Sequence, residues 1–364
     1  MQAEQLSVAA GELSIVRPGA SPKQALRAWD AADEYLIKLI EELTHQPELL
    51  IINDQFGALG CACNKALHIW QSDSFCAKEA FELNRKINEI EGEIPFLEST
   101  RAINADNKLA LIKLPRNTSL LEYQLNRCHE MGIKEVWLAG MMKHLPKTIL
   151  EQLQRFGTVE RLPFIKKATV FKLQLTQAIP DSYPKQNTFS GVKLSSHANV
   201  FGRDKLDPGA QFFIDNMSAL PKAQNVADLC CGSGILGIKY ASNSPESNLH
   251  FFDESYMAIE STQASWKLNQ LSNQKHFHWA DGLPDSGTKF DLILCNPPFH
   301  ESNTVGDHIA KRLFKQSRKA LSANGQLIVV GNRHLKYHIT LKTYFKNVKQ
   351  IAANPKFVLL SANG

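Results

Sequence analysis

Val226-Ala227-Asp228-Leu229-Cys230-Cys231-Gly232-Ser233-Gly234-Ile235-Leu236-Gly237 is an apolar run that breaks into glycines and resumes as a helical pattern. A counterpart stands in the other half of the chain: Leu49-Leu50-Ile51-Ile52-Asn53-Asp54-Gln55-Phe56-Gly57-Ala58-Leu59-Gly60. A short strand, a glycine-bearing turn and a helix start open a βα unit, and their recurrence points to a repeated architecture. Three more segments recur in the same order. Ala66 to Asn84 echoes Asn248 to Asn269, each a strand, an acidic-Ser step (Asp73-Ser74, Glu254-Ser255) and a helix ending in Leu-Asn. Leu109 to Pro115 echoes Asp291 to Pro297, and Leu138-Ala139-Gly140 with Lys143-His144-Leu145 echoes Val329-Val330-Gly331 with Arg333-His334-Leu335. Strands alternating with helices, twice over, predict two α/β domains with mostly parallel sheets, related by duplication. Runs such as Leu292 to Leu294 suit strands buried on both faces.

A chain of 364 residues has room for two such domains. The cluster of Pro180, Asp181, Ser182 and Pro184 within Gln177 to Lys185 reads as the linker, giving domains 1–184 and 185–364. Phe189 to Asn199 alternates well enough to be a small hairpin opening the second domain. The composition, 43% hydrophobic and 21% charged, is that of a soluble globular protein. No apolar run approaches the roughly 20 residues needed to span a bilayer, so no membrane partner is expected. Met1 to Arg17 carries Glu4 and Glu12 and lacks a basic segment followed by an apolar one, so no signal peptide is read and the cytoplasm is expected. Seven cysteines, none in a C-x-x-C pair, support neither a disulfide framework nor a zinc site; reduced thiols and no metal are expected. A net charge of +5 tolerates a polyanionic partner without demanding one.

Gly232-x-Gly234-x-x-Gly237 lets the backbone turn sharply and approach a ligand where a side chain would clash. Taken alone this glycine pattern fits a nicotinamide dinucleotide equally well. Asp253 ends the apolar run Leu249-His250-Phe251-Phe252, where a carboxylate can accept both hydroxyls of an adenosine ribose. Asp228 would repel a pyrophosphate but attract the amino group of a methionine moiety. The feature that separates the cofactors is Asn296-Pro297-Pro298-Phe299, after the fourth strand. Two prolines fix φ and remove two N–H donors, leaving a rigid turn with outward carbonyls. The Asn296 amide oxygen and the Pro297 carbonyl can then accept both hydrogens of an exocyclic NH₂, and Phe299 can stack on the ring that bears it. The lone pair of such a nitrogen is delocalised into its ring; two accepted hydrogen bonds return density to it and aim it at the methyl of S-adenosylmethionine, a sulfonium electrophile. The turn by itself does not choose between adenine, guanine and a protein glutamine amide. Asp281, in Asp281-Gly282 where the third strand should end, is a candidate for the adenine amino group, and His300 for the substrate. Cys295 is expected in the core rather than in catalysis.

Lys311, Lys315 and Lys319, flanked by Arg312 and Arg318, put one positive face on a helix, and the stretch from Lys143 to Lys172 adds Lys147, Arg155, Arg161, Lys166 and Lys167; RNA could meet either. In the first domain the glycine turn reads Asp54-Gln55-Phe56-Gly57, and Lys113-Leu114-Pro115-Arg116 replaces the rigid turn. That domain should not catalyse; it should bind substrate or support its partner.

With these residues in view, the chain resembles the ribosomal RNA guanine-N2 methyltransferases built from two duplicated methyltransferase-like domains, the first inactive, and is more similar to the large-subunit than to the small-subunit type. The resemblance runs from Leu26-Arg27-Ala28-Trp29-Asp30 to Lys356-Phe357-Val358, with distinctive stretches at His197 to Phe201, Leu206 to Ala210, Val226 to Gly237, Cys295 to His300 and Asn332 to Leu335. It implies two tandem Rossmann-like class I methyltransferase domains, with a seven-stranded, mostly parallel sheet in the C-terminal one. It implies Gly232, Gly234 and Asp253 on the cofactor, Asn296, Pro297 and Phe299 on the target guanine, and Phe201, Asp207, Gly209 and Pro298 around the pocket. The implied substrate is 23S ribosomal RNA, naked or partly assembled into the large subunit; a monomer is the default expectation, since the sequence does not give the oligomeric state. Small-subunit rRNA guanine N2, adenine N6, or RNA binding around a vestigial cofactor pocket are the competing readings.

Overall fold

The computed structural model of the chain describes residues 3–19, 26–106, 108–285, 287–298, 300–301, 304–305 and 307–364, with the side chains of 300, 301, 304, 305 and 307 excepted. The chain divides into two units, Met1–Ser182 and Tyr183–Gly364. The first opens with a hairpin of β1 (Ala3–Val8) and β2 (Gly11–Val16), followed by helix α1 (Ala31–Glu41). Its sheet contains β3 (Leu49–Ile52), β4 (Leu67–Ser72), β5 (Phe96–Glu98), β6 (Leu109–Lys113), β7 (Glu135–Met141), β8 (Gly157–Arg161) and β9 (Ala168–Leu175), in the order β5-β4-β3-β6-β7-β9-β8. Helices α2 (Ala58–Ala62), α3 (Phe75–Ile87), α4 (Thr118–Glu130) and α5 (Ile149–Gln154) make the connections.

The second unit repeats the plan. A hairpin of β10 (Lys185–Phe189) and β11 (Val192–Ser196) precedes α6 (Pro208–Asp215). The sheet strands are β12 (Asn225–Leu229), β13 (Asn248–Asp253), β14 (Lys275–Trp279), β15 (Phe290–Cys295), β18 (Leu321–Asn332), β19 (Asn347–Ala353) and β20 (Phe357–Asn363), with a two-residue pair β16 (His300–Glu301) and β17 (Thr304–Val305) outside it. Helices α7 (Ile235–Asn243), α8 (Tyr256–Asn269), α9 (Asp307–Ala320) and α10 (Tyr337–Leu341) connect them. The order β14-β13-β12-β15-β18-β20-β19 matches the first sheet strand for strand. In each, the first five strands run parallel and the last two pairings are antiparallel. Seven strands were expected of the second sheet; the first has seven as well. The order reverses between β12 and β15, and ligands of open α/β sheets bind outside the carboxyl ends of strands at such a switch point.

The reason these strands form the sheet centre is plain in their burial. Leu292, Ile293, Leu294, Leu327, Ile328, Val329 and Val330 have no exposure, as strands covered by helices on both faces require. Gly237 is where helix meets strand: a Cβ there would lie 2.4 Å from Phe251 Cε1, so only glycine lets α7 settle onto β13. Each full burial of a Phe or Leu of this kind contributes about 1.5–3 kcal/mol.

Two expectations shift. The hairpin opening the second unit begins at Lys185, inside the stretch read as linker, and ends at Ser196. Its turn at Ser190 and Gly191 has φ 49° and 80°, the left-handed pair that a two-residue hairpin needs. A hairpin also opens the first unit, where none was expected. Both hairpins dock onto a helix by side chains in place of a third strand. Asn84 of α3 receives the Val16 N–H at 2.8 Å and donates to the Val16 carbonyl at 2.9 Å, and Asn88 does the same for Ser14. On α8, Ser261, Ser265 and Asn269 accept the N–H groups of His197, Ser195 and Lys193.

Candidate active site

Strand β12 ends at Leu229, and the chain must turn at once into α7. Cys230 at φ 62°, Gly232 at φ 57° and Gly234 at φ 80° carry the turn. The first unit turns by the same path, with Asn53 at φ 64° and Gly57 at φ 80°. At Gly234 a Cβ would lie 2.6 Å from Thr262 Cγ2, so conformation and space both demand glycine. Gly232 differs: the nearest atom to a built Cβ is the Phe201 carbonyl oxygen at 4.0 Å. Its backbone therefore faces open space on that side.

The loop is held from below. Asp253, at the carboxyl end of β13, accepts the Gly232 N–H at 2.9 Å through one oxygen and the Ser255 N–H at 3.0 Å through the other. Both carboxylate oxygens are thus fixed in place at the strand end, one beneath the loop and one at the start of α8. Thr262 of α8 donates to the Gly232 carbonyl at 3.0 Å. Thr262 escaped the sequence reading because a Thr inside a helical pattern carries no signal until the loop is folded over it.

Asp228 requires a correction. It was expected to meet the methionine amino group, but it is buried at 1% exposure beneath the loop, where its Oδ2 accepts the Gly237 N–H at 2.8 Å. Burial pushes its carboxyl up to about 8, against the opposing effect of that N–H. The side chain ties the loop to α7 rather than lining the cleft. In the first unit Asp54, two residues beyond its strand, does the same for Gly60 at 2.8 Å.

Asn296 follows β15, whose last residue Cys295 is in register with Leu229. The turn thus emerges beside the glycine loop. The Asn296 Nδ2 donates to Asp207 Oδ2 at 3.3 Å, and its Oδ1 is buried with no hydrogen-bond partner among the described residues. Pro297 is buried and Pro298 exposed. Gly209 completes the corner: a Cβ there would come within 2.9 Å of Asp207 Oδ2 and 3.6 Å of Asn296 Oδ1. Phe201, beside Gly232, is 69% exposed. Phe299 and the side chain of His300 lie outside the described residues. Asp281 follows β14, and one of its oxygens pairs with Arg312 of α9, a partner sequence reasoning missed. Arg312 and Lys319, which pairs with Asp285 at 3.3 Å, are thereby partly neutralised on the positive face expected of α9. Among the described residues no group of His, Cys, Asp or Glu could hold a metal, and no helix is long and apolar enough to cross a membrane.

The equivalent corner of the first unit is filled. Lys113 Nζ lies 2.6 Å from Asp30 and 2.9 Å from Asp33. Burial opposes its charge, yet the two carboxylates hold its pKa above the ordinary lysine value. Phe81 packs against Gly57, 2.6 Å from a built Cβ, and stacks on Trp70 at 4.6 Å. Of the basic residues expected to face RNA there, Arg155 pairs with Glu122 and Lys166 with Glu34.

Residues 191–361 match the family described as Methyltransferase small domain, and residues 3–177 match the RLMG N-terminal domain. The Ribosomal RNA large subunit methyltransferase G of Ectopseudomonas mendocina (strain ymp) is 39% identical over 364 residues, covering 96% of this chain and 97% of that protein. The chain belongs to that family. The protein of the same name from Shewanella sp. (strain MR-4) is 37% identical over 377 residues, covering 98% of this chain and 99% of its own length. Among solved structures, a 16S rRNA N2 methyltransferase of T. Thermophilus in complex with AdoMet and guanosine has a TM-score of 0.77 at 17% identity, covering 100% of this chain and 98% of its own, a likeness of fold. Membership makes the chain a methyltransferase with S-adenosylmethionine as methyl donor. Gly232 with its open side and Asp253 at the end of the neighbouring strand fit that group.

Proposed function

We propose that the second unit methylates the exocyclic N2 of a guanine in large-subunit (23S) ribosomal RNA, and that the first unit, catalytically empty, serves RNA binding or support. The relatives named for large-subunit rRNA support the RNA, and the sequence resemblance to the guanine-N2 enzymes favours guanine as the base. One observation carries the amino chemistry: the Asn296 amide oxygen is buried, unpartnered among the described residues, and beside the glycine loop. A buried acceptor without a donor costs about 1–3 kcal/mol, a cost that an NH₂ bound there would offset.

Gly232 and Gly234 would hold the cofactor's methionine end, Asp253 its ribose, and Asp281 its adenine through the oxygen not committed to Arg312. Bound there, S-adenosylmethionine supplies a methyl group on a positively charged sulfur. Asn296 Oδ1 and the Pro297 carbonyl would accept hydrogen bonds from both N–H groups and so present the nitrogen lone pair to the methyl group, whose bond to sulfur breaks as the bond to nitrogen forms. As positive charge grows on nitrogen both acceptors bind it more tightly, so they favour the transition state over the ground state. Nitrogen then loses one proton to water. Phe299, by its place in the sequence, would stack on the base, with Phe201 and Pro298 at the rim and His300 near the substrate.

The test is labelled methyl transfer to large-subunit RNA and to assembled particles from cells lacking the protein, read by nucleoside mass spectrometry. N2-methylguanosine is the expected product, and methyladenosine or label in protein would overturn the assignment. Asn296→Ala should lower the rate by at least a hundredfold and leave cofactor affinity intact.

A further inference from the structure

We propose that Asp207 is a positioning residue that decides which end of the Asn296 amide faces the substrate. A carboxylate can only accept hydrogen bonds, so the Asn296 group turned toward it has to be the NH₂. That contact measures 3.3 Å and leaves the amide oxygen turned away, buried and unpartnered among the described residues. The same Asp207 oxygen is itself fixed. As N-cap of α6 it accepts the Ala210 N–H at 2.8 Å, where the helix N-terminus favours negative charge. Gly209 keeps the space between the two side chains clear, since a Cβ would stand 2.9 Å from that oxygen. An amide turned the other way would set N–H donors against the donors of an amino group.

The duplicated half supplies an independent comparison. Asp30 stands at the corresponding station, N-cap of α1, and accepts from the Ala32 and Asp33 N–H groups. It too keeps an acid poised at this corner, but its partner is the Lys113 ammonium at 2.6 Å. The half with the Asn-Pro-Pro turn gives its acid an amide to orient, while the half without that turn gives its acid an ion pair.

This inference rests on the amino-group reading of Asn296, so the experiment separates the two. Single-turnover methyl transfer to large-subunit RNA, equilibrium binding of S-adenosylmethionine and thermal unfolding would be measured for Asp207→Ser, Asn296→Ala, Asn296→Asp and the double variant Asp207→Asn with Asn296→Asp. Serine caps a helix about as well as aspartate, so Asp207→Ser should keep its melting temperature and cofactor affinity while the rate falls about tenfold to a hundredfold. Asn296→Asp sets two carboxylates against each other and should be slow. The double variant restores a donor–acceptor pair with an oxygen facing the substrate, and should run at least tenfold faster than Asn296→Asp. A wild-type rate for Asp207→Ser beside an inactive Asn296→Ala, or a double variant no faster than Asn296→Asp, would overturn the positioning role. A fully active Asn296→Ala would instead sink the amino-group reading, and the positioning role with it.

Discussion

Asp228 shows how one residue can be read correctly as important and wrongly as to purpose. Its place before the glycines was legible; its burial was not, because whether an acid at a strand end points up into the cleft or down onto the helix is settled by pleat and packing. The direction has a measurable consequence. An acid held near 8 in the fold and ionising near 3.8 when unfolded stabilises the fold while protonated, and that contribution is lost as pH rises through the interval to about 8. Asp228→Asn keeps an oxygen for the Gly237 N–H and cannot ionise. Its melting temperature should therefore fall less than the parent's between pH 5 and pH 9, and equal slopes would refute the account. The glycines divide in the same way. Gly234→Ala meets Thr262 at 2.6 Å in a left-handed conformation and should destabilise by about 2–4 kcal/mol in denaturant unfolding. Gly232→Ala meets nothing closer than 4.0 Å, so it should cost only about 1 kcal/mol of strain while weakening cofactor binding severalfold in titration.

At the scale of elements, the sheet strands were readable because they are apolar on both faces, and the turns because glycine and proline punctuate them. The hairpins were harder. β1, β2, β10 and β11 are short, all but β11 are mostly exposed or half-buried, and their real anchors are the polar side chains of a helix that begins about 60 residues later. No local pattern announces that an Asn in a helix is completing a strand. The repeat makes the energetics testable. Asn84 is fully buried and serves both polar groups of Val16 as well as the Phe56 carbonyl at 2.8 Å, so Asn84→Ala should cost about 2–4 kcal/mol. Asn269 makes the equivalent pair of bonds to Lys193 near the surface, where water can replace it, and Asn269→Ala should cost about 1 kcal/mol. Chemical denaturation of the two variants gives the comparison.

Over the whole molecule, the duplication was visible in four matched segments, and the sheet order adds a likeness the sequence does not spell out. Each unit has its own apolar core on both faces of its sheet. Every residue proposed for the cofactor lies in the second unit, so a fragment spanning residues 183–364 should fold cooperatively and bind S-adenosylmethionine as tightly as the full chain by calorimetry. The ion pair at Lys113 has a consequence for how this half could ever change. On the proposal that this unit does not catalyse, grafting Asn-Pro-Pro onto positions 114–116 would not make it do so, because the ammonium would still occupy the acid proposed to orient the amide, and Phe81 would still crowd the glycine turn. Removing Lys113 alone strands Asp33, which is already pushed up to about 6 by burial, without its counter-charge. On that proposal the corner is locked as a ratchet locks: each single step toward activity is uphill by itself, and only a concerted set of replacements could release it.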